Sequence, residues 1–249
     1  MGSRASRLLS GVGATRVIFH EHADEASLTE AVALALADAV EEDLARFTQS
    51  TLLLSGGTTP IPAYCALAPK LTGREGITVG LVDERWVDPQ DPGSNARMLR
   101  ESLLATAGTG VRFWPLANIE MGLLPAVASA NARQRTLHHP ASVVLLGMGE
   151  DGHTASLFPG SPDLPRALAS SEAYCALDAS GCPVAGRWTQ RITLTPQGWR
   201  DARRRLLLIR GARKRQVFQN ALDNPDAMAL PVAAAFADSA APLVVHWCP

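Results

Sequence analysis

The chain has 249 residues, 47% of them hydrophobic and 19% charged, and a formal net charge of −1. That profile belongs to a folded globular protein and excludes a disordered one. It also argues against a nucleic-acid partner, which calls for a basic excess or stripe, and no apolar run approaches the ~18 residues of a membrane helix. Cys65, Cys175, Cys182 and Cys248 show no CxxC pairing. Neither cysteines nor histidines fall at metal-ligand spacings, so no metal and no cofactor is expected. The thiols read as reduced, in a cytoplasmic protein.

Residues 1–15 carry Arg and Ser but lack the apolar centre of a secretory signal. They are expected as a flexible lead-in to one α/β domain over 16–249. Residues 16–20 (RVIFH) read as a strand. Leu28, Val32, Leu36, Val40, Leu44 and Phe47 then recur about every four residues, the apolar stripe of a long helix. Ser27 and Glu30 have capping-box spacing near its start. Residues 51–54 form a continuous apolar run ending in Ser-Gly-Gly, the pattern of a buried parallel strand entering a turn. A helix follows over 60–67, then a strand over 77–82 ending at Asp83.

Further along, a helix is predicted over 95–104, a strand over 111–114 and an Ala-rich helix over 125–138. A buried strand over 143–146 again runs into glycines. Strands are predicted over 173–177, 191–194, 205–209 and 243–247, and a helix over 212–222. The densest basic run, Arg203 to Arg205 with Arg210, Arg213, Lys214 and Arg215, is expected as a solvated helix face. Alternating strands and helices predict an open, mostly parallel Rossmann-like sheet flanked by helices, with a small additional β-containing region. Ligands in such sheets bind beyond the C-terminal strand ends, where the strand order reverses.

Three strand-end loops concentrate chemistry-bearing residues. In the first, 55–60 (SGGTTP), Gly56 and Gly57 allow close backbone approach, and Thr58 and Thr59 add hydroxyls. The following helix N-terminus offers unpaired N–H groups to a phosphate. In the second, starting at Asp83, Arg85 can hold an anion through its planar fork of donors. Asp83 can orient an imidazole, a water or a substrate hydroxyl, and Asn95 can anchor the loop or touch substrate. In the third, 146–160 (LGMGEDGHTASLFPG), Gly149 permits close approach. His153 is the side chain best suited to take a proton near neutral pH, with Asp151 or Asp83 fixing its tautomer. His20, His22, His138, His139 and His246 flank strand and helix ends or lie in the last strand, and carry less weight.

These segments, with 191–196 (RITLTP) and 211–214 (GARK), resemble the 6-phosphogluconolactonase family in order and spacing from about residue 17 to 247. The wider superfamily includes glucosamine-6-phosphate deaminases and ribose-5-phosphate isomerases. Deaminases resemble the chain in the glycine loop and at Gly149 to His153. They continue differently after that histidine, with an IAFNEP-type sequence, and have a tyrosine at the position of Arg85. The resemblance implies a cofactor-independent hydrolase that takes 6-phospho-D-glucono-1,5-lactone to 6-phosphogluconate. His153 would activate water, and Gly56, Gly57, Thr58 and Thr59 would hold phosphate with help from Arg85, Arg191 or Lys214. The expected partner is this phosphorylated sugar lactone alone, with no nucleic acid and no membrane, and the oligomeric state stays open. The alternatives are a sugar-phosphate isomerase or deaminase, and a non-catalytic sugar-phosphate-binding module.

Overall fold

A computed structural model describes residues 4–10, 16–237 and 241–249, with side-chain environments from residue 17 onward. Its strands are β1 (Arg4–Ser10), β2 (Arg16–Glu21), β3 (Ser50–Leu54), β4 (Ile77–Leu81), β5 (Asp83–Arg85), β6 (Val111–Trp114), β7 (Val143–Gly147), β8 (Tyr174–Asp178), β9 (Gln190–Leu194), β10 (Arg204–Arg210) and β11 (Leu243–Cys248). The helices are α1 (Glu25–Phe47), α2 (Ile61–Leu71), α3 (Asn95–Leu99), α4 (Ala105–Ala107), α5 (Leu123–Arg135), α6 (Leu164–Leu168), α7 (Pro196–Trp199) and α8 (Ala212–Asp223). Arg4–Ser10, within the expected lead-in, pair antiparallel with β2; residues 1–3 and 11–15 lie outside the described residues.

The main sheet runs β1-β2-β11-β10-β7-β3-β4-β6, parallel throughout except at β1. β3 and the apolar residues Val143, Val144, Leu145 and Leu146 of β7 are buried along their whole length, as expected for strands covered on both faces. From β3 the chain builds outward through β4 and β6. From β7 it builds the other way through β10 to β11, which lies against the earlier strand β2. The order therefore reverses between the paired strands β3 and β7. Loops leaving adjacent strands on opposite courses open a crevice at their C-terminal ends.

The small additional region is an antiparallel sheet, β5-β9-β8. Val82 staples it to the main sheet: its N–H donates to Leu54 O at 2.9 Å and its carbonyl accepts from Leu194 N at 2.7 Å. Asp83, Arg85 and Arg191 are thereby carried to the same end of the molecule as the loops after β3 and β7.

The stripe of α1 is buried at Leu28, Val32, Leu36 and Val40. Its cap is Asp24, three residues before the expected Ser27. Ser27 is the N3 partner, its N–H donating to Asp24 Oδ1 at 2.8 Å. The expected helix over 95–104 extends to Ala107 through a π turn at Arg100–Leu104.

Only part of the basic run is a helix face: Arg213, Lys214 and Arg215 lie on α8. Arg204, Arg205 and Arg210 lie on β10. Arg203 pairs with Asp43, Arg204 with Glu42, Arg210 with Glu25, Arg213 with Glu150 and Arg215 with Glu21. Arg205 is 1% exposed and donates to the carbonyls of Ala235 and Ala241. The run follows the end of a strand past acidic residues of α1, so most of its charge is answered locally.

Candidate active site

A cavity of about 290 Å³ opens in the crevice at the C-terminal strand ends. Eleven of the twelve expected site residues line it: Gly56, Gly57, Thr58 and Thr59 on one wall, Asp83, Arg85, Asn95 and Arg191 on a second, Gly149, His153 and Lys214 on a third. Asp151, the twelfth, stands behind His153. Ser55, Pro60, Gly147, Met148, Ala155, Phe158, Val184 and Leu208 complete the lining without having been expected as site residues. His20, His22, His138, His139 and His246 do not line it. Two wider concavities, about 390 and 480 Å³, open at the opposite, N-terminal strand ends around His138. Neither holds a glycine turn facing a histidine–carboxylate pair.

The glycine turn is shaped by its neighbours. A Cβ on Gly56 would lie 2.1 Å from Asn95 Oδ1, so any side chain there would expel Asn95. Gly57 has φ +89°, a left-handed conformation that glycine adopts without steric cost. Tyr64 on α2 donates to Ser55 O at 2.7 Å, and Tyr174 on β8 donates to Leu81 O at 2.8 Å. Burial pushes both phenols up, so both remain donors that pin the ends of β3 and β4. Neither tyrosine was expected here; a tyrosine in an apolar helix or strand looks like any other core residue until its partner is seen.

His153 Nδ1 lies 2.6 Å from Asp151 Oδ1, and the same oxygen takes the His153 N–H at 3.2 Å. Gly149 N donates to His153 O at 2.9 Å, closing the turn. A Cβ on Gly149 would stand 2.2 Å from His153 Nδ1 and 2.5 Å from Asp151 Oδ1, so only glycine admits the pair. The Phe158 ring packs against the imidazole at 4.6 Å. Burial raises the Asp151 carboxyl, but the hydrogen bond and charge of His153 outweigh it and hold the group below its ordinary value. Asp151 thus stays a carboxylate and accepts the Nδ1 proton, leaving Nε2 with a lone pair.

Asp83 is engaged elsewhere. Its Oδ2 accepts from Ser156 Oγ at 2.5 Å, and Asn95 Nδ2 donates to its carbonyl at 2.8 Å and reaches its Oδ1 at 3.4 Å. Of the two carboxylates left open by the sequence, Asp151 is the one on the imidazole. Glu84, overlooked in the sequence, is fully buried. It accepts from the N–H groups of Arg85 (2.8 Å), Asn95 (2.8 Å) and Ala96 (2.7 Å) and from Ser94 Oγ (3.1 Å). It fixes the start of α3, and with it Asn95.

Three cations border the cavity. Arg191 is 3% exposed; burial pushes its guanidinium down to about 10 while Asp83 supports the charge, so it remains a cation at neutral pH. Arg85 Nη1 donates to Gly93 O at 2.6 Å. Burial lowers Lys214 and the charges of Glu150 and Asp151 partly restore it. Among the described residues, no group of three or more His, Cys, Asp or Glu is arranged to hold a metal ion, and no helix is long and apolar enough to cross a membrane.

The profile of the family described as glucosamine-6-phosphate isomerases/6-phosphogluconolactonase matches residues 23–245. A 6-phosphogluconolactonase of Xylella fastidiosa (strain 9a5c) is 43% identical over 233 residues, covering 94% of this chain and 97% of the relative. One of Rhizobium meliloti (strain 1021) is 37% identical, covering 88% and 95%. The crystal structure of a 6-phosphogluconolactonase from Shewanella baltica OS155 superposes with a TM-score of 0.87 at 29% identity, over 96% of this chain and all of that one. Matched along nearly its whole length, the chain belongs to the glucosamine-6-phosphate isomerase/6-phosphogluconolactonase family.

Proposed function

We propose that the protein hydrolyses 6-phospho-D-glucono-1,5-lactone to 6-phospho-D-gluconate, with His153 as general base and residues 16–249 acting as one catalytic unit. The observation that supports this reading is that His153, paired with Asp151, and the glycine–threonine turn at 56–59 line the same cavity. One end of that cavity suits a phosphate and the other a water to be deprotonated.

Asp151 holds the Nδ1 proton, so Nε2 removes a proton from water as the oxygen attacks the lactone carbonyl. Negative charge develops on the carbonyl oxygen, where backbone N–H groups of the glycine-rich loops stabilise it. As the tetrahedral intermediate collapses, the ring C–O bond breaks. The imidazolium returns its proton to the departing ring oxygen, giving a carboxylic acid and a free hydroxyl. Gly57, Thr58 and Thr59, at the start of α2, hold the phosphate with N–H groups and hydroxyls, and the cations supply charge. Four free thiols suit a reducing compartment, here the cytoplasm.

The relatives at 37–43% identity carry the name 6-phosphogluconolactonase, and Arg85 and the Thr154 to Pro159 continuation favour lactonase over deaminase. The test is a pH-stat assay of freshly made lactone, with and without chelator, beside ammonia release from glucosamine 6-phosphate. Acid release above the spontaneous rate, unaffected by chelator and without ammonia, is expected. Ammonia release without lactone hydrolysis would replace the reading by a deaminase.

A further inference from the structure

Resting on the lactonase reading, we propose that Trp188, in the loop between β8 and β9, is a positioning residue whose indole aims Arg85 at the anionic substrate. Trp188 is half-buried and is not among the residues packed against the main apolar core, so filling that core does not account for it. Its ring lies between two guanidiniums, that of the exposed Arg187 at 4.6 Å from the ring centre and that of Arg85 on the cavity side.

The Arg85 guanidinium lies 5.6 Å from the centre of the indole. The carbonyl that holds Arg85 Nη1 belongs to Gly93, and the indole lies against that residue: a Cβ on Gly93 would sit 2.5 Å from Trp188 Cε2 and Cζ2. Trp188 thus faces the guanidinium and also packs against the backbone that anchors it. Its own carbonyl accepts from Arg191 Nε at 2.7 Å, while Ala185 O takes Arg191 Nη2 at 3.0 Å. The 86–94 segment and the 179–189 segment thus meet at Trp188 and Gly93.

The arrangement leaves donors for a ligand. Arg191 Nη1 makes only a 3.5 Å approach to Ser156 Oγ, and Arg85 Nη1 carries a second proton besides the one given to Gly93 O; Arg85 Nε has no protein acceptor but is closed off from solvent. An indole beside a guanidinium restrains its plane without occupying a hydrogen-bond site. An acceptor side chain in its place would compete with the substrate's oxygens. A displaced guanidinium weakens anion binding in ground state and transition state alike, so the effect belongs in KM rather than kcat.

The experiment compares Trp188→Leu and Trp188→Phe in the full chain, each with Arg85 intact and as Arg85→Met. It reads KM and kcat for the lactone and, separately, the affinity for inorganic phosphate by calorimetric titration. Trp188→Leu is expected to raise KM and weaken phosphate binding about 10-fold with kcat within about 3-fold, the scale of one lost cation–π contact. Trp188→Phe restores most of the loss, and in the Arg85→Met background Trp188→Leu adds less than about 2-fold. Unchanged KM and phosphate affinity, or equal losses in both backgrounds, would overturn the assignment. Should wild type fail to hydrolyse the lactone, the lactonase reading falls, while the phosphate titration still judges Trp188. Should Trp188→Leu misfold, Trp188→Met takes its place: about a 10-fold loss of phosphate affinity that Trp188→Phe does not share supports the aromatic contact, and wild-type affinity in the folded Trp188→Met protein refutes it.

Discussion

His153 Nδ1 and Asp151 Oδ1 are 2.6 Å apart, brought together by a turn whose Gly149 has no room for a side chain. Because the carboxyl is held below its ordinary value, the imidazole always faces an acceptor, and the tautomer with Nε2 free is favoured. Asp151→Asn replaces that acceptor by an amide that can present N–H to the ring and favour the wrong tautomer. We expect kcat to fall about 10²-fold or more, with KM within a few-fold and the fold unchanged by circular dichroism. A variant with near-wild-type kcat would show that Asp151 does not set the tautomer.

Glu84 is expected to matter through the loop it ties down. Burial pushes its carboxyl up, opposed by the N–H groups of Asn95, Ala96 and Arg85 that it accepts from. Glu84→Gln keeps the size but turns an amide NH₂ toward donors. That should cost about 1–3 kcal/mol in urea unfolding and raise KM, since Asn95 and Arg85 flank the carboxylate. Equal stability and equal KM in the variant would remove Glu84 from this role.

The stability of the fold should depend on pH through three clustered imidazoles, His20 on β2, His22 just after it and His246 on β11. His246 lies 5.1 Å from His20 and 5.2 Å from His22 between ring centres, and its Nδ1 is 3.0 Å from His22 Nε2. Burial first, then the charges of His20 and His22, push His246 down to about 3 from 6.5. The unfolded chain binds this proton more readily than the folded one, so its contribution is complete above about pH 6.5 and is lost as pH falls toward 3. Unfolding free energy should decline by up to about 1.4 kcal/mol per pH unit from this one group. His246→Gln should flatten that acid limb. An acid limb of equal slope in both proteins would place the titration elsewhere.

Long elements were legible because their periodicity is repeated many times. The stripe of α1 recurs over five turns, and residues 52–54 of β3 and 143–146 of β7 are apolar without interruption. The three strand-end loops were legible because glycines, hydroxyls and charges gathered where strands stop. β5 was not, because three residues cannot display an alternation. For the same reason Glu84 was given no role beside Asp83, although neighbouring strand residues point to opposite faces: Asp83 lines the cavity and Glu84 is buried at the start of α3. The basic run misled because its charges are answered by acidic residues more than 150 positions away, Glu25, Glu42 and Asp43. Asp24 was passed over as the cap of α1 because Ser27 three residues on offered the same spacing pattern, and only the backbone shows which residue leaves the helix.

The most direct measurement is the rate of lactone opening by His153→Ala, set against wild type and against the spontaneous reaction at the same pH. General-base action by this imidazole predicts a loss of about 10²–10⁴-fold in kcat with substrate still bound. Hydrolysis at the wild-type rate by the folded variant would contradict it.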